Sequence, residues 1–407
     1  MNAYARSTMD PTQDAPPPSD ATGLAPSSEA ALAAEVEAEA ERAERQRAAD
    51  AVGGAVRQGL LRWTILVGAG SFAALVLRRF DVALFLVAAA LFALAQSWDV
   101  RDRARTGDPI ADTALAPGSV GRVLRALVPL LVPFAGALAY GGLALFARAL
   151  PWSPAHIAAM QWCTAATVVC AFIAFPPIAH QLARAFMRGG HPGHTERLTA
   201  AIALVLLLLP VPCALLGEDL MGTFKSSGRL RADVGTLVGQ LLGEVVFGLA
   251  AVGLWVTRDF RAVRDRLGLG AMGVRHVSYA VAGLVLVSGL NAGMEWLERT
   301  YYHALWLRDQ DTVKLIAANM NVGAALLLGV SAGVGEEIMV RGALQPRVGL
   351  YWASLLFASA HLQYTWFGML TIVLFGMALG VVRNRANTTT AIVVHVLYDI
   401  LAALGAR

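Results

Sequence analysis

Residues 319–341 read NMNVGAALLLGVSAGVGEEIMVR, an apolar run that closes on two adjacent carboxylates and an arginine. A bilayer's hydrocarbon core of about 30 Å needs roughly 20 apolar residues of helix, so the run is long enough to cross. An ionisable side chain at mid-bilayer costs about 2.5–3.5 kcal/mol on insertion scales, and Glu336, Glu337 and Arg341 therefore need a reason to be there. Gly329 and Gly333 stand four apart, with Ser331 and Gly335 beside them. Small residues at that spacing let a second helix approach closely, which predicts a place at the centre of a bundle. Adjacent helical residues point about 100° apart, so the two glutamates do different jobs. Glu337 and Arg341 have the i, i+4 spacing of an ion pair. Glu336 is left as the less compensated carboxylate and the candidate general base. The alternative is that both glutamates cap or pair at a helix end near water.

Similar runs recur at 61–77, 82–97, 124–147, 155–178, 198–216, 234–257, 277–296, 349–364, 366–383 and 388–405. With 319–341 they make about 11 spans and predict an all-α fold, a polytopic integral membrane helical bundle. Composition agrees: 57% of the 407 residues are hydrophobic and 15% charged, and the mean hydropathy is +0.56. Soluble domains carry about a quarter charged residues, so that class is excluded. The net charge of +4 does not point to nucleic acid, because the arginines sit in short segments between apolar runs. Membrane topology explains such a distribution. Cys163, Cys170 and Cys213 all lie in apolar stretches, as packing residues rather than disulfide or metal partners.

Segments 101–125, 184–197 and 258–275 are rich in arginine, and the intervening spans alternate as they must if all three are cytoplasmic. Arg341, Arg347, Arg383 and Arg385 fall on the same side in this scheme. The opposite loops hold Glu218, Asp219, Asp233, Glu298, Asp309 and Asp311, with the pair Arg78–Arg79 as an exception. This predicts a bacterial-type cell membrane protein with its N-terminus cytoplasmic and its C-terminus outside. Residues 1–28 lack any apolar period and read as disordered. Residues 29–57 are helix-forming Ala, Glu and Arg. The first apolar run begins near Trp63, too late for a signal peptide. The organisation expected is a cytoplasmic tail at 1–58, accessory spans at 59–233 and a core at 234–407.

The last four spans gather the polar groups. Besides Glu336, Glu337 and Arg341 they hold Phe357-x-x-x-His361 and His395-x-x-x-Asp399. A lone membrane histidine such as His361 is commonly an interhelical hydrogen bond. His395 and Asp399 stand one turn apart on one face, where the carboxylate orients the ring and favours its charged form. Convergence of three such sets on successive helices carries the inference of a site. Its weak point is depth. Glu336 lies near the end of its span, whereas His361 is about a dozen residues, or 18 Å, into the next. The two meet only if that helix starts below the membrane surface or tilts strongly, as Pro346 and Gly349 would permit. Elsewhere, Gln240 and Glu244 read as a structural pair, and Asn291 and Glu295 as interfacial. His180, His191 and His194 are too scattered for a metal site, and Trp152, Trp162 and Trp296 fit an aromatic belt.

The ordered motifs Glu336-Glu337-x-x-x-Arg341, Phe357-x-x-x-His361 and His395-x-x-x-Asp399 resemble those of the CPBP family of CAAX prenyl proteases and bacteriocin-processing, Abi-like enzymes. The resemblance covers about 331–405 and extends plausibly back to about 234. It implies an intramembrane endopeptidase whose site opens toward the cytosol. Glu336 would activate water with His361 assisting, His395 and Asp399 would organise charge on the scissile carbonyl oxygen, and Glu337 and Arg341 would hold their helix. Asp399 stands where many relatives have Asn. An ionised Asp donates no hydrogen bond, so it is expected to hold His395 cationic, with His395 the donor. The family is often called metalloprotease, and histidines with carboxylates suit zinc. The chain has no His-Glu-x-x-His, however, and a cofactor-free site is favoured over zinc. The partners implied are a peptide or protein substrate, lipid-modified ones included, and membrane lipids, with no nucleic acid. A non-catalytic scaffold or immunity-type protein is the runner-up. A proton-coupled transporter ranks lower, because no internal repeat is seen.

Overall fold

A computed structural model of the chain describes residues 28–77, 79–106, 154–173, 193–208, 233–317 and 320–405, with 181, 183–185 and 187 besides. The chain divides into two units, residues 1–50 and 51–407. In the first, the described part is helical from Ser28, with side chains mostly exposed where their placement is described. The rest of the architecture belongs to the second.

The helices are α1 (Ser28–Val76), α2 (Phe80–Thr106), α3 (Pro154–Ile173), α4 (His194–Leu208), α5 (Val234–Ala251), α6 (Phe260–Leu267), α7 (Val274–Tyr301), α8 (His303–Ala317), α9 (Val322–Glu337), α10 (Leu350–Ser359), α11 (Trp366–Arg385) and α12 (Thr388–Gly405). Seven segments among the described residues are long and apolar enough to cross a membrane: Asp50–Val76, Val82–Arg101, Val234–Ala251, Val274–Tyr301, Val322–Val348, Trp366–Arg385 and Thr388–Gly405. The molecule is an all-helical polytopic membrane bundle. The expected span at 124–147 and the ends of those at 155–178 and 198–216 lie outside the described residues, as do Arg78, Cys213, Glu218, Asp219, His180, His191 and Trp152.

One expected span is corrected. The run at 349–364 holds a helix of 10 residues, α10. At 1.5 Å per residue that is about 15 Å, half the hydrocarbon core.

Local chemistry sets the helix starts. Asp233 accepts from Thr236 N at 2.8 Å to open α5, and Asn321 accepts from Ala324 N at 2.8 Å to open α9. Thr365 opens α11 by accepting from Gly368 N at 3.3 Å. Each satisfies a backbone N–H that the first helical turn leaves without a partner. The small-residue face of α9 does what its spacing predicts, and its partner is α12. A Cβ on Gly333 would stand 2.8 Å from the backbone nitrogen of Val396 and 3.1 Å from its Cα. The opposite side of α9 packs on α5.

The basic residues Arg258, Arg266, Arg347 and Arg383 collect at one end of the bundle. They donate to the carbonyls of Val252, Gly342, Ala251 and Arg341 respectively, at 2.6–3.2 Å. Arg266 is pushed down to about 10 by its burial and by the charges of Arg347, Arg258 and Arg383. Arg341 does not belong with them, because it is wholly buried within the bundle. At α5's first turn, Arg79 donates to Thr236 Oγ1 at 2.8 Å. There it helps the Thr236 hydrogen bonds hold the neighbouring Asp233 carboxyl below its usual range. An acidic cap thus receives the basic residue that broke the topological pattern.

Candidate active site

The segment carrying Glu336 and Glu337 does not end at Arg341. After Glu337 the helix passes into a π-helical stretch, Ile338–Leu344, and then one more α-turn, Gln345–Val348. Single π-turns inside α-helices are often found at functional sites. The continuous apolar segment runs Val322–Val348, which puts Glu336 near its middle rather than at its end. The depth difficulty disappears for this reason, together with the shortness of α10. His361 lies two residues beyond α10, in a turn closed by His361 N to Ala358 O (2.9 Å) and Tyr364 N to His361 O (3.2 Å).

Glu337 and Arg341 form the ion pair their spacing predicts, Oε2 to Nε at 3.3 Å, with both side chains fully buried. The arginine's other neighbour is the Phe357 ring, 4.8 Å from the guanidinium carbon. Glu337 Oε1 accepts from His395 Nδ1 at 3.0 Å. The acceptor is a carboxylate, so Nδ1 carries the hydrogen and the ring is fixed with Nε2 facing the other way. On that face stand Asp399 Oδ2 at 3.5 Å and Glu336 Oε2 at 3.9 Å. Three carboxylates therefore surround one buried imidazole. Glu337, expected only to hold its helix, also orients His395.

Phe357 ties the second motif to the first and third. Its ring centroid is 4.7 Å from that of His361 and 6.3 Å from that of His395. Phe375 closes the other side of His395 at 5.1 Å. His361 Nδ1 lies 2.8 Å from the Phe357 carbonyl. A carbonyl only accepts, so Nδ1 donates and Nε2 keeps its lone pair. Glu336, Glu337, Arg341, His395 and Asp399 are thus linked by direct contacts, and His361 joins them through Phe357.

Two further residues belong here. Gln240 Nε2 donates to Glu336 Oε1 at 3.3 Å and to Glu244 Oε1 at 3.1 Å. Gln240 and Glu244 do form the pair read from the sequence, but the pair is joined to the site. A glutamate inside a span is a functional candidate by default, and that was the available signal.

Zinc needs protein donors arranged around it with one open position. Among the described residues no three of His, Cys, Asp and Glu are arranged to hold an ion. The chemistry proposed for these residues routes no step through a metal.

The sequence model of a family described as type II CAAX prenyl endopeptidase Rce1-like matches residues 318–401. The C-terminal region is an Rce1-like domain. It contains all three motifs and begins just before α9, so α5, Gln240 and Glu244 lie outside the matched stretch. The uncharacterized protein YpbD of Bacillus subtilis (strain 168) is 26% identical over 171 residues, which is 41% of this chain and 86% of that protein. No solved structure matches the chain. The family is one of hydrolases that act on proteins, and the Rce1-like domain here is embedded in a membrane bundle.

Proposed function

We propose that the protein is an intramembrane endopeptidase that hydrolyses a peptide bond near the cytoplasmic membrane face, with Glu336 activating the water. The observation that carries the reading is the pair Glu336 Oε2 and His395 Nε2, which face each other at 3.9 Å. That separation is too long for a direct hydrogen bond and suits one bridging oxygen atom. An acceptor-only carboxylate on one side and an N–H donor on the other are what an attacking water and a developing oxyanion require.

In this mechanism Glu336 takes a proton from water as the oxygen attacks the scissile carbonyl carbon. His395 Nε2–H donates to the oxyanion, and Asp399 and Glu337 keep the imidazole charged and aimed. Collapse of the tetrahedral intermediate breaks the C–N bond, and the proton held by Glu336 passes to the departing nitrogen. His361, whose Nε2 is left free, assists that transfer. Arg341 neutralises Glu337, which would otherwise stand in apolar surroundings without compensation. The cytoplasmic side is assigned from Arg258, Arg266, Arg347 and Arg383. The carbonyl of Arg341, one turn beyond Glu337, already meets Arg383. The substrate is a protein or peptide, with lipid-modified chains as candidates from the family's prenyl endopeptidase description.

The test compares peptide termini in membranes from cells making the intact protein or Glu336→Ala at matched abundance. Termini that arise only with the intact protein support the reading and name substrates. Identical termini, with a folded variant, move the assignment to a non-catalytic scaffold.

A further inference from the structure

We propose that Gln240 and Glu244 are positioning residues for Glu336: a neutral Glu244 fixes the Gln240 amide, whose second N–H holds Glu336 Oε1 and leaves Oε2 to receive the proton. This inference rests on the reading of Glu336 as the base. The side-chain nitrogen of glutamine has two hydrogens and accepts nothing. Both are directed at carboxyl oxygens, one to Glu244 Oε1 at 3.1 Å and one to Glu336 Oε1 at 3.3 Å. Gln240 and Glu244 stand one turn apart on α5, so a single helix face supplies the amide and the group that orients it.

The neutrality of Glu244 follows from its surroundings. The residue is 5% exposed, and its Oε2 is buried without a hydrogen-bond partner among the described residues. That oxygen lies against Gly335, so close that a Cβ there would collide with it. An ionised carboxylate in such a place is strongly disfavoured unless a cation pairs with it. The buried guanidinium of the site, Arg341, is taken by Glu337. Two carboxyls bridged by one amide in a water-poor site do not both ionise. With Glu336 ionised for its chemistry, the proton rests on Glu244 Oε2, and Oε1 accepts from Gln240.

The groups that set the charge of Glu336 come from four directions. They are Gln240 and Glu244 on α5, Glu337 and Arg341 along its own helix, His395 and Asp399 on α12, and Tyr364 in the turn after α10. Of these, Gln240 is the neutral group that donates directly to it, and its N–H favours the ionised form of the base.

The experiment measures product formation from a substrate found by the terminus comparison, in membranes across a pH series. Gln240→Leu is expected to lower kcat by about tenfold to a hundredfold, the size of a misplaced catalytic group. KM should change little, and the acid limb of kcat/KM should move to higher pH. Glu244→Gln, which keeps a neutral group of the same shape, is expected to lower kcat less than Gln240→Leu does and to leave the acid limb where the parent has it. A Gln240→Leu protein with parental kcat and acid limb overturns the proposal, as does a Glu244→Gln protein as damaged as Gln240→Leu. If Gln240→Leu does not accumulate, Gln240→Met, of equal length and without the N–H, takes its place. If Glu336→Gln still forms product, the peptidase reading itself fails. If Glu336→Gln is inactive while Gln240→Leu matches the parent, only this inference fails.

Discussion

Removing the charge of Glu337 should destabilise the bundle more than removing its partner. Glu337 and Arg341 are both fully buried and meet at 3.3 Å. In Glu337→Gln the guanidinium loses that carboxylate and keeps the Phe357 ring at 4.8 Å as its close contact. Stranding a buried charge costs about 3–5 kcal/mol, much more than a cation over one ring returns. In Arg341→Met the carboxylate keeps His395 Nδ1 at 3.0 Å, so a smaller loss, about 1–3 kcal/mol, is expected. The double variant Glu337→Gln/Arg341→Met has no stranded charge and should recover at least about 1 kcal/mol over Glu337→Gln alone. Denaturing-detergent titrations in mixed micelles, read by tryptophan fluorescence, give the three differences. The two variants that lack the Glu337 carboxylate should also turn over peptide at least about tenfold more slowly, because each disturbs the hold on His395. A Glu337→Gln protein within about 1 kcal/mol of the parent, or a double variant no better than that single one, would refute the reasoning.

Other outcomes follow from the same geometry. Gly333→Leu should cost about 1–3 kcal/mol or more and abolish turnover by pushing α9 off Val396, whereas Gly289→Ala, with nothing within 4 Å of its Cβ, should be silent in the same titration. Asp233→Ala should lose about 0.5–2 kcal/mol of cap stability. The Asp233 carboxyl is held below its usual range, so that contribution is present at neutral pH and fades as pH falls through the lowered value, a trend the variant's midpoints should lack. Asp309, on α8, accepts from both N and Oγ1 of Thr365 at 2.8 Å, and burial holds its carboxyl above the usual value. Above its unfolded value the native state then binds the extra proton and stability falls as pH rises, and Asp309→Asn should flatten that slope.

Much of the candidate site's geometry was legible because it is local. The Glu337–Arg341 pair and the His395–Asp399 pair are one-turn contacts on single helices, and Gly329 and Gly333 announce a close neighbour by their spacing alone. Arg341 misled because an arginine at the end of an apolar run ordinarily marks the membrane surface. Its charge is instead matched inside the bundle, and the helix continues through a π-turn that no residue type signals. The same uniform apolarity that made 349–364 look like a span hid the end of α10 at Ser359, so His361 was placed inside a helix instead of on the turn after it. The bond from Gln240 to Glu336 joins residues 96 positions apart, a distance over which helical periodicity carries no information. Glu337 holding His395 across 58 positions was hidden for the same reason.

The central claim is that water activated at Glu336 cuts a peptide bond, and heavy-oxygen water tests it most directly. Membranes containing the intact protein, incubated in that solvent, should yield new C-termini carrying one solvent oxygen, and membranes with Glu336→Gln at matched abundance should yield none of them. Labelled termini that persist in the Glu336→Gln sample, or new termini without the label in the intact sample, would contradict the account.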